Sequence, residues 1–209
     1  MHRRCSKFLN KYFLKVGANN HKMCGICGVI DSTHTGKISE EMLRRMCSSM
    51  SHRGPDGEGI YLKDFNIQGV NNKIGLGHRR LSIIDLSSAG HQPMPNEDET
   101  IWIVLNGEIY NYIELRADLK NKGHIFKSST DTETIIHLYE EYGEDCVNYL
   151  RGMFAFGIWD ENKKRLLLAR DRVGKKPLIY YYKDNIFCFA SEFSAILASN
   201  LIDKDVNQV

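Results

Sequence analysis

The most reactive arrangement in this sequence is Met23-Cys24-Gly25, a cysteine placed directly after a methionine. If Met23 is removed, Cys24 carries both a thiol and a free α-amine. A model α-amine has a pKa of about 7.7 to 8.0 and a free thiol one of about 8.5, so the amine can accept the thiol proton near neutral pH. Cys24 is therefore predicted to be an N-terminal nucleophile that attacks a carbonyl carbon and uses its own amine as the base.

The pair Asn106-Gly107 offers a second kind of chemistry, the stabilisation of negative charge on an oxygen atom. It follows a β-branched run at residues 101–105 that is typical of a central strand. The side-chain NH2 of Asn106 and the backbone N–H of Gly107 would form an oxyanion hole at the end of this rigid strand. Taken alone, an Asn-Gly pair after a strand equally fits a hairpin turn.

Cys24 and Cys27 also form a Cys-x-x-Cys motif, which suits a thiol oxidoreductase or half of a zinc site. No second Cys-x-x-Cys or suitably spaced Cys/His pair completes a metal site in the sequence, so we predict no metal ion. The cysteines at positions 5, 27, 47, 146 and 188 are scattered and are expected to be reduced, mostly buried thiols. The oxidoreductase alternative would require Cys27 for activity.

The elements that must position these residues alternate between strand-like and helix-like patterns. Helices are predicted after the caps Ser39, Asn111 and Thr130, the last opening a Thr-x-x-Glu capping box, and at 191–197. Strands are predicted over residues 24–30, 101–105, 154–159, 165–169, 178–182 and 186–190, around 60 and 67, and over 74–78. Helices between groups of strands indicate an α+β domain in which helices cover stacked antiparallel sheets.

Composition limits the classes of function. The formal net charge is +2, but residues 1–22 contain six bases and no acid, which leaves 22 bases against 26 acids in the rest of the chain. A folded part near −4 argues against nucleic-acid binding, and the apolar runs are far shorter than the roughly 20 residues of a membrane span. Residues 1–22 fit either a targeting-like helix or a start assigned upstream of Met23, and we expect a cytoplasmic protein.

Seven motifs, in this order, resemble the class II glutamine amidotransferase domain of asparagine synthetases. They are Cys24-Gly25-Ile26-Cys27-Gly28, His52-Arg53-Gly54-Pro55-Asp56, His78-Arg79-Arg80-Leu81-Ser82-Ile83-Ile84-Asp85, Asn106-Gly107-Glu108-Ile109-Tyr110-Asn111, Ser129-Thr130-Asp131, Gly152-Met153-Phe154-Ala155-Phe156 and Arg170-Asp171-Arg172-x-Gly174-x-Lys176-Pro177-Leu178. The resemblance runs from Met23 to about Leu197. It implies the N-terminal-nucleophile (Ntn) hydrolase fold, a four-layer α/β/β/α sandwich of antiparallel sheets, over residues 23–209.

The resemblance also implies roles for individual residues. Cys24 would attack the side-chain carbonyl of glutamine, with Asn106 and Gly107 as the oxyanion hole. Glutamine would be held by Arg80 at its α-carboxylate, by Asp131 and Glu108 at its α-ammonium, and by Leu81 and Ile83. Singly, these charges have plainer explanations, such as a solvated strand end for Arg80 and a helix cap for Asp131. His52 and Arg53 are expected to brace a loop near the site, and Arg170 with Asp171 to form a buried structural pair.

The remaining expectations concern what lies outside the chain. The Ser-Gly-Gly-x-Asp-Ser-like phosphate loop of the family's synthetase domain does not occur in this sequence. We therefore expect no cofactor here, and we expect Mg-ATP and aspartate to belong to a missing C-terminal domain or partner that receives the ammonia. A homodimer of the complete enzyme is a further expectation. Two alternatives stay open: an amidotransferase for another acid, and a catalytically silent module whose Cys24 nitrogen is blocked.

Overall fold

A computed structural model describes residues 23–33, 37–81 and 90–202. The helices of this part are α1 (Glu40–Ser49), α2 (Tyr112–Asn121), α3 (Asp131–Tyr142) and α4 (Phe193–Ala198), with a 3₁₀ helix at Gly143–Tyr149. The strands are β1 (Gly25–Asp31), β2 (Gly57–Ile67), β3 (Val70–Arg80), β4 (Met94–Pro95), β5 (Ile101–Ile109), β6 (Gly152–Asp160), β7 (Arg165–Arg170), β8 (Ile179–Lys183) and β9 (Ile186–Ala190). The predicted extension at residues 1–22 and the predicted contact residue Ile83 lie outside the described residues.

The strands form two antiparallel sheets that pack face to face between two layers of helices. One sheet has the order β2-β3-β1-β9-β8 and the other β4-β5-β6-β7. Helices α1 and α4 cover the outer face of the first sheet, and α2 and α3 cover the outer face of the second. A third apolar layer lies between the sheets. The predicted α+β class and the four-layer sandwich are confirmed.

Strand β1 lies in the middle of the five-stranded sheet, and its side chains alternate between two apolar layers. Ile26 faces the other sheet and packs in one cluster with Phe189 and Trp159, whereas Cys27 faces the helices. Burying a side chain of the size of Ile26 contributes roughly 1.5–3 kcal/mol, so a one-residue slip of β1 would be costly. This register fixes the direction of Cys24, which lies two residues before Ile26 and shares its face.

Helices α1 and α3 begin at the predicted caps. The hydroxyl of Ser39 accepts a backbone N–H at 3.2 Å, and the hydroxyl of Thr130 accepts the N–H of Glu133 at 3.3 Å. The carboxylate of Glu133 does not complete the capping box, because it accepts the N–H and hydroxyl of Ser128 instead. The turn before α3 is thereby tied to the helix, which holds Asp131 at the first helical position.

Helix α2 differs from its prediction. The side chain of Asn111 does not cap the helix; its Nδ2 donates to the carbonyl of Tyr149 and its Oδ1 accepts from the N–H of Arg151. Leu119 is the buried residue of α2, so the helix is less amphipathic than its sequence suggested. Asn111 therefore joins the start of α2 to the segment that leads into β6.

Three strand assignments also differ. The strands predicted around 60, 67 and 74–78 are one hairpin of two 11-residue strands, β2 and β3, which turns at Gln68 and Gly69. β5 continues through Asn106 and Gly107 to Ile109, so this pair lies inside a paired strand and is not a hairpin turn. β4 and the 3₁₀ helix were not predicted.

The predicted buried pair of Arg170 and Asp171 is wrong. Arg170 is exposed and donates to the carbonyl oxygens of Gly174 and Lys176. The buried carboxylate of Asp171 accepts backbone N–H groups, among them that of Lys176 at 3.0 Å. Backbone groups satisfy both charges because the turn after β7 wraps around them. In the part of the chain described here, no helix has the length and apolar character needed to cross a bilayer.

Candidate active site

The sulfur of Cys24 contacts the backbone that follows β3. The N–H of Leu81 donates to Sγ at 3.4 Å, and the Leu81 carbonyl oxygen lies 3.7 Å from Sγ. Burial raises the pKa of the Cys24 thiol, while the Leu81 N–H and the cations of Lys176, Arg53 and Arg80 oppose this rise. The thiol therefore stays protonated near neutral pH and needs a base before it can act as a nucleophile.

Cys24 and Cys27 project from opposite faces of the first sheet. Cys27 is fully buried against the helices, where its sulfur lies 3.8 Å from that of Cys47. Strand residues three positions apart point in opposite directions, so the two sulfurs of the Cys-x-x-Cys motif cannot form a disulfide while β1 remains paired. Both cysteines are free thiols. This geometry argues against the oxidoreductase alternative.

The side-chain amide of Asn106 is buried and lacks hydrogen-bond partners within the described residues. Only 1% of the residue is exposed, and neither Nδ2 nor Oδ1 is bonded. Asn106 lies two residues after Val104, which packs between the sheets, so its side chain points into the same space as that of Cys24. An orphaned buried amide costs about 1–3 kcal/mol, so a ligand that completes its hydrogen bonds would explain why Asn106 is kept there.

The backbone N–H of Gly107 points away from β6, on the edge of β5 beyond the short stretch that pairs with β4. Backbone groups of an antiparallel strand alternate between its two neighbours. The N–H of Leu105 donates to Oε1 of Gln92 at 2.6 Å, and that of Ile109 donates to Oδ2 of Asp131 at 2.8 Å, both on the edge away from β6. Gly107 lies between these two residues with the same parity, so its N–H faces this edge beside Asn106.

Strand β6 explains why residue 107 is glycine. A Cβ atom there would lie 2.3 Å from the carbonyl oxygen of Met153 and 2.6 Å from Cα of Phe154. Any side chain would push β5 away from β6 and tilt the N–H that faces the opposite edge. The glycine is thus required by the neighbouring strand, which the sequence pattern did not indicate.

The charged residues predicted to bind substrate come from three different elements around this space. Arg80 is buried at the end of β3, Glu108 is half-buried on the same face of β5 as Asn106, and Asp131 is buried at the start of α3. Burial raises the pKa of Asp131, although the N–H of Ile109 opposes it, and the charge of Glu108 raises it further. Two adjacent carboxylates favour a cation, such as an ammonium group, between them.

Arg53 braces the backbone of Cys24, the predicted nucleophile, as expected for this loop. Its Nε donates to the carbonyl oxygen of Cys24 at 3.0 Å, and its Nη1 donates to Glu192 at 3.0 Å. The same carboxylate oxygen lies 3.0 Å from Nε2 of His52. Glu192 was not predicted, because it lies 139 residues from Arg53 in the sequence and has no distinctive neighbours.

Lys176 is a further buried cation near Cys24, and the sequence did not single it out. Its Nζ lies 3.1 Å from Sδ of Met23. Burial lowers the pKa of Lys176, whereas Glu108 raises it and Arg53 lowers it further. In the sequence, only the Lys-Pro-Leu motif at residues 176–178 drew attention to Lys176.

Comparisons with known proteins identify the family of this chain. A family model described as a glutamine amidotransferase domain matches residues 23–209. A putative asparagine synthetase [glutamine-hydrolyzing] 2 of Methanocaldococcus jannaschii is 44% identical over 200 residues, which cover 88% of this chain and 37% of that protein. Asparagine synthetase [glutamine-hydrolyzing] 1 of Bacillus subtilis is 44% identical over 186 residues, which cover 88% of this chain and 28% of that protein.

A solved structure shares the fold. The glutamine phosphoribosylpyrophosphate amidotransferase of B. subtilis superposes with a TM-score of 0.69 at 24% identity, over 85% of this chain and 44% of that chain. This likeness supports the four-layer Ntn arrangement. The chain spans about a third of the length of the curated relatives it matches.

Proposed function

Because this chain belongs to the glutamine amidotransferase domain family and is the glutaminase half of an asparagine-synthetase-type protein, we propose that Cys24 releases ammonia from glutamine for the amidation of aspartate elsewhere. The observation that carries the catalytic assignment is the buried amide of Asn106, which has no partner among the described residues and faces the same space as the Cys24 thiol. A nucleophile and an unsatisfied hydrogen-bond donor that face the same space are an arrangement suited to acyl transfer.

The proposed reaction has two stages. The free α-amine of Cys24 takes the thiol proton, and the thiolate attacks the side-chain carbonyl carbon of glutamine. The carbonyl oxygen becomes an oxyanion that accepts hydrogen bonds from Asn106 Nδ2 and the Gly107 N–H. The C–N bond then breaks, ammonia leaves with the proton held by the amine, and a thioester remains. Water hydrolyses the thioester to glutamate and regenerates the thiol.

We assign glutamine recognition to charges on both sides of the site. The guanidinium of Arg80 would pair with the α-carboxylate, and the carboxylates of Asp131 and Glu108 would hold the α-ammonium. The backbone of Leu81 contacts Sγ of Cys24, so it would border the reacting carbonyl. For Ile83, a contact with the substrate is proposed from the sequence motif alone.

One observation favours a silent module as the second candidate. In the chain as written, the nitrogen of Cys24 is an amide, which is not a base, and the Met23 side chain lies against Lys176. We expect no glutaminase activity from a form that retains residues 1–23. We expect activity from a form that begins at Cys24.

The test compares these two purified forms for ammonia and glutamate release from glutamine, with intact mass confirming each N-terminus. Cys24→Ala in the shorter form is the matched control; it should lose hydrolysis but retain glutamine binding, because only the thiol is removed. Equal release by the long and short forms would exclude the amine as base. Turnover by Cys24→Ala would exclude Cys24 as nucleophile.

The fate of the ammonia is proposed from the similarity to asparagine synthetases. We place Mg-ATP and aspartate on a further domain or partner protein, in a complete enzyme that can form a homodimer in the cytoplasm. The complete protein, given amide-¹⁵N-glutamine, Mg-ATP and aspartate, should form ¹⁵N-asparagine measurable by mass spectrometry. Label found only in another amidated acid would favour the alternative substrate.

A further inference from the structure

We propose that His124, His137 and Glu140 form a binding site for one divalent transition-metal ion, best suited to Zn²⁺. The three residues lie on the outer helical layer, at the junction of α2 and α3, apart from Cys24. They offer two imidazole nitrogens and one carboxylate oxygen, a ligand set that suits Zn²⁺ and other first-row ions better than Mg²⁺.

The three ligand atoms are already close enough to share one ion. Nδ1 of His124 lies 3.1 Å from Nδ1 of His137, Oε2 of Glu140 lies 2.7 Å from Nδ1 of His137, and the third edge of the triangle is 3.4 Å. Ligand atoms about 2.0–2.2 Å from a tetrahedral zinc ion are about 3.3–3.6 Å from each other. The 3.4 Å edge already fits, whereas the 3.1 Å and 2.7 Å edges have to widen by about 0.2 Å and about 0.6 Å or more for an ion to bind.

Proton counting shows that this cluster presents a free lone pair. Two Nδ1 atoms at 3.1 Å cannot both carry a hydrogen, so at least one imidazole points an unshared electron pair at the other. A carboxylate faces the same point from Glu140. One shared proton satisfies this arrangement in the absence of metal, and a divalent cation satisfies it with all three groups as ligands.

The second nitrogen of each histidine faces carboxylates, the outer shell that metal-bound histidines usually have. Nε2 of His124 lies 3.0 Å from Oε1 of Glu141. Nε2 of His137, on a side chain only 1% exposed, has no hydrogen-bond partner in the described part of the chain, and its nearest acid is Glu97 at 3.6 Å. The Glu141 carboxylate orients the His124 ring, and both carboxylates add negative charge around a cation.

Rigid backbone holds the ligands in place. His137 and Glu140 are three residues apart on one face of α3. His124 follows Gly123, whose φ of +102° ends α2, and the N–H of His124 donates to the carbonyl of Leu119 at 3.1 Å. This helix-ending motif fixes His124 opposite α3, so little ordering is needed when an ion binds.

The test uses the chain carrying Cys24→Ala, because the active-site thiol would itself bind Zn²⁺. Equilibrium dialysis should give one Zn²⁺ per chain, no retention of Mg²⁺, and a Tm that rises with Zn²⁺. His124→Ala and Glu140→Ala, each added to this background, should weaken Zn²⁺ binding at least 100-fold and abolish the Tm rise. His52→Ala removes an exposed histidine elsewhere and should leave binding unchanged.

Cobalt gives an independent readout, since visible absorption of bound Co²⁺ reports nitrogen and oxygen ligands directly and should vanish in His124→Ala. Circular dichroism without metal verifies that each variant is folded. The site would be overturned if the background chain failed to retain Zn²⁺. It would also be overturned if His124→Ala and Glu140→Ala bound Zn²⁺ as tightly as the background chain. Neither result depends on glutamine hydrolysis, so the metal site and the proposed glutaminase function are tested independently.

Discussion

Replacing Asn106 with leucine should stabilise the fold and lower kcat at the same time. In the structure Asn106 is 1% exposed, and its amide has no hydrogen-bond partner within the described residues. Folding therefore removes water from the amide without supplying a hydrogen bond in its place. Leucine has a similar shape and no polar atoms. The substitution therefore removes a buried polar group without a hydrogen bond from the folded state, and it removes the proposed oxyanion donor from the transition state.

The two effects have different magnitudes and opposite signs. Removing an unsatisfied buried amide should raise the free energy of unfolding by up to about 1–3 kcal/mol. Losing one oxyanion donor should lower kcat by about 10²- to 10³-fold, or about 3–4 kcal/mol of transition-state stabilisation. The KM for glutamine should change little, because the donor acts mainly on the oxyanion.

Asn72→Leu is the matched control. Asn72 is also buried, at 5% exposed, but its Nδ2 donates to the carbonyl of Val70 at 2.8 Å. Its loss should lower the free energy of unfolding by about 1–3 kcal/mol and leave kcat unchanged. Urea unfolding and glutamate release, measured on the form that begins at Cys24, check both variants. If Asn106→Leu loses as much stability as the control, or keeps wild-type kcat, Asn106 is a structural residue and the reasoning fails.

Three further substitutions test the rest of the site in steady-state assays. Arg80→Ala should raise the KM for glutamine about 10- to 100-fold by removing a charge-assisted bond, and an unchanged KM would contradict carboxylate binding by Arg80. Lys176→Met removes a cation that lowers the pKa of Cys24, so the acidic limb of the pH profile of kcat/KM should move to higher pH; no movement would mean that Lys176 is structural. Cys27→Ala should retain glutaminase activity while losing about 1 kcal/mol of stability, and loss of turnover would revive the oxidoreductase hypothesis.

The features that the sequence predicted correctly depend on local chemistry. A hydroxyl at Ser39 or Thr130 can satisfy a backbone N–H within one turn, so the starts of α1 and α3 were visible in a few residues. The small and β-branched residues of β1 marked it as buried on both faces. The predictions for Asn111 and for the pair Arg170 and Asp171 failed because the side chains bond to backbone groups that the sequence does not show as neighbours.

The sequence by itself determined the reactive groups, since a cysteine after a removable methionine and an Asn-Gly pair are chemical properties of single residues. Only the tertiary structure decided what these groups face. The alternation of β5 turns the Gly107 N–H outwards, the registers of β1 and β5 place Cys24 and Asn106 in one space, and distant residues supply the cations around the thiol. Strand pairing and packing between layers set these relations, and such contacts join residues too far apart in the chain for any local pattern to record.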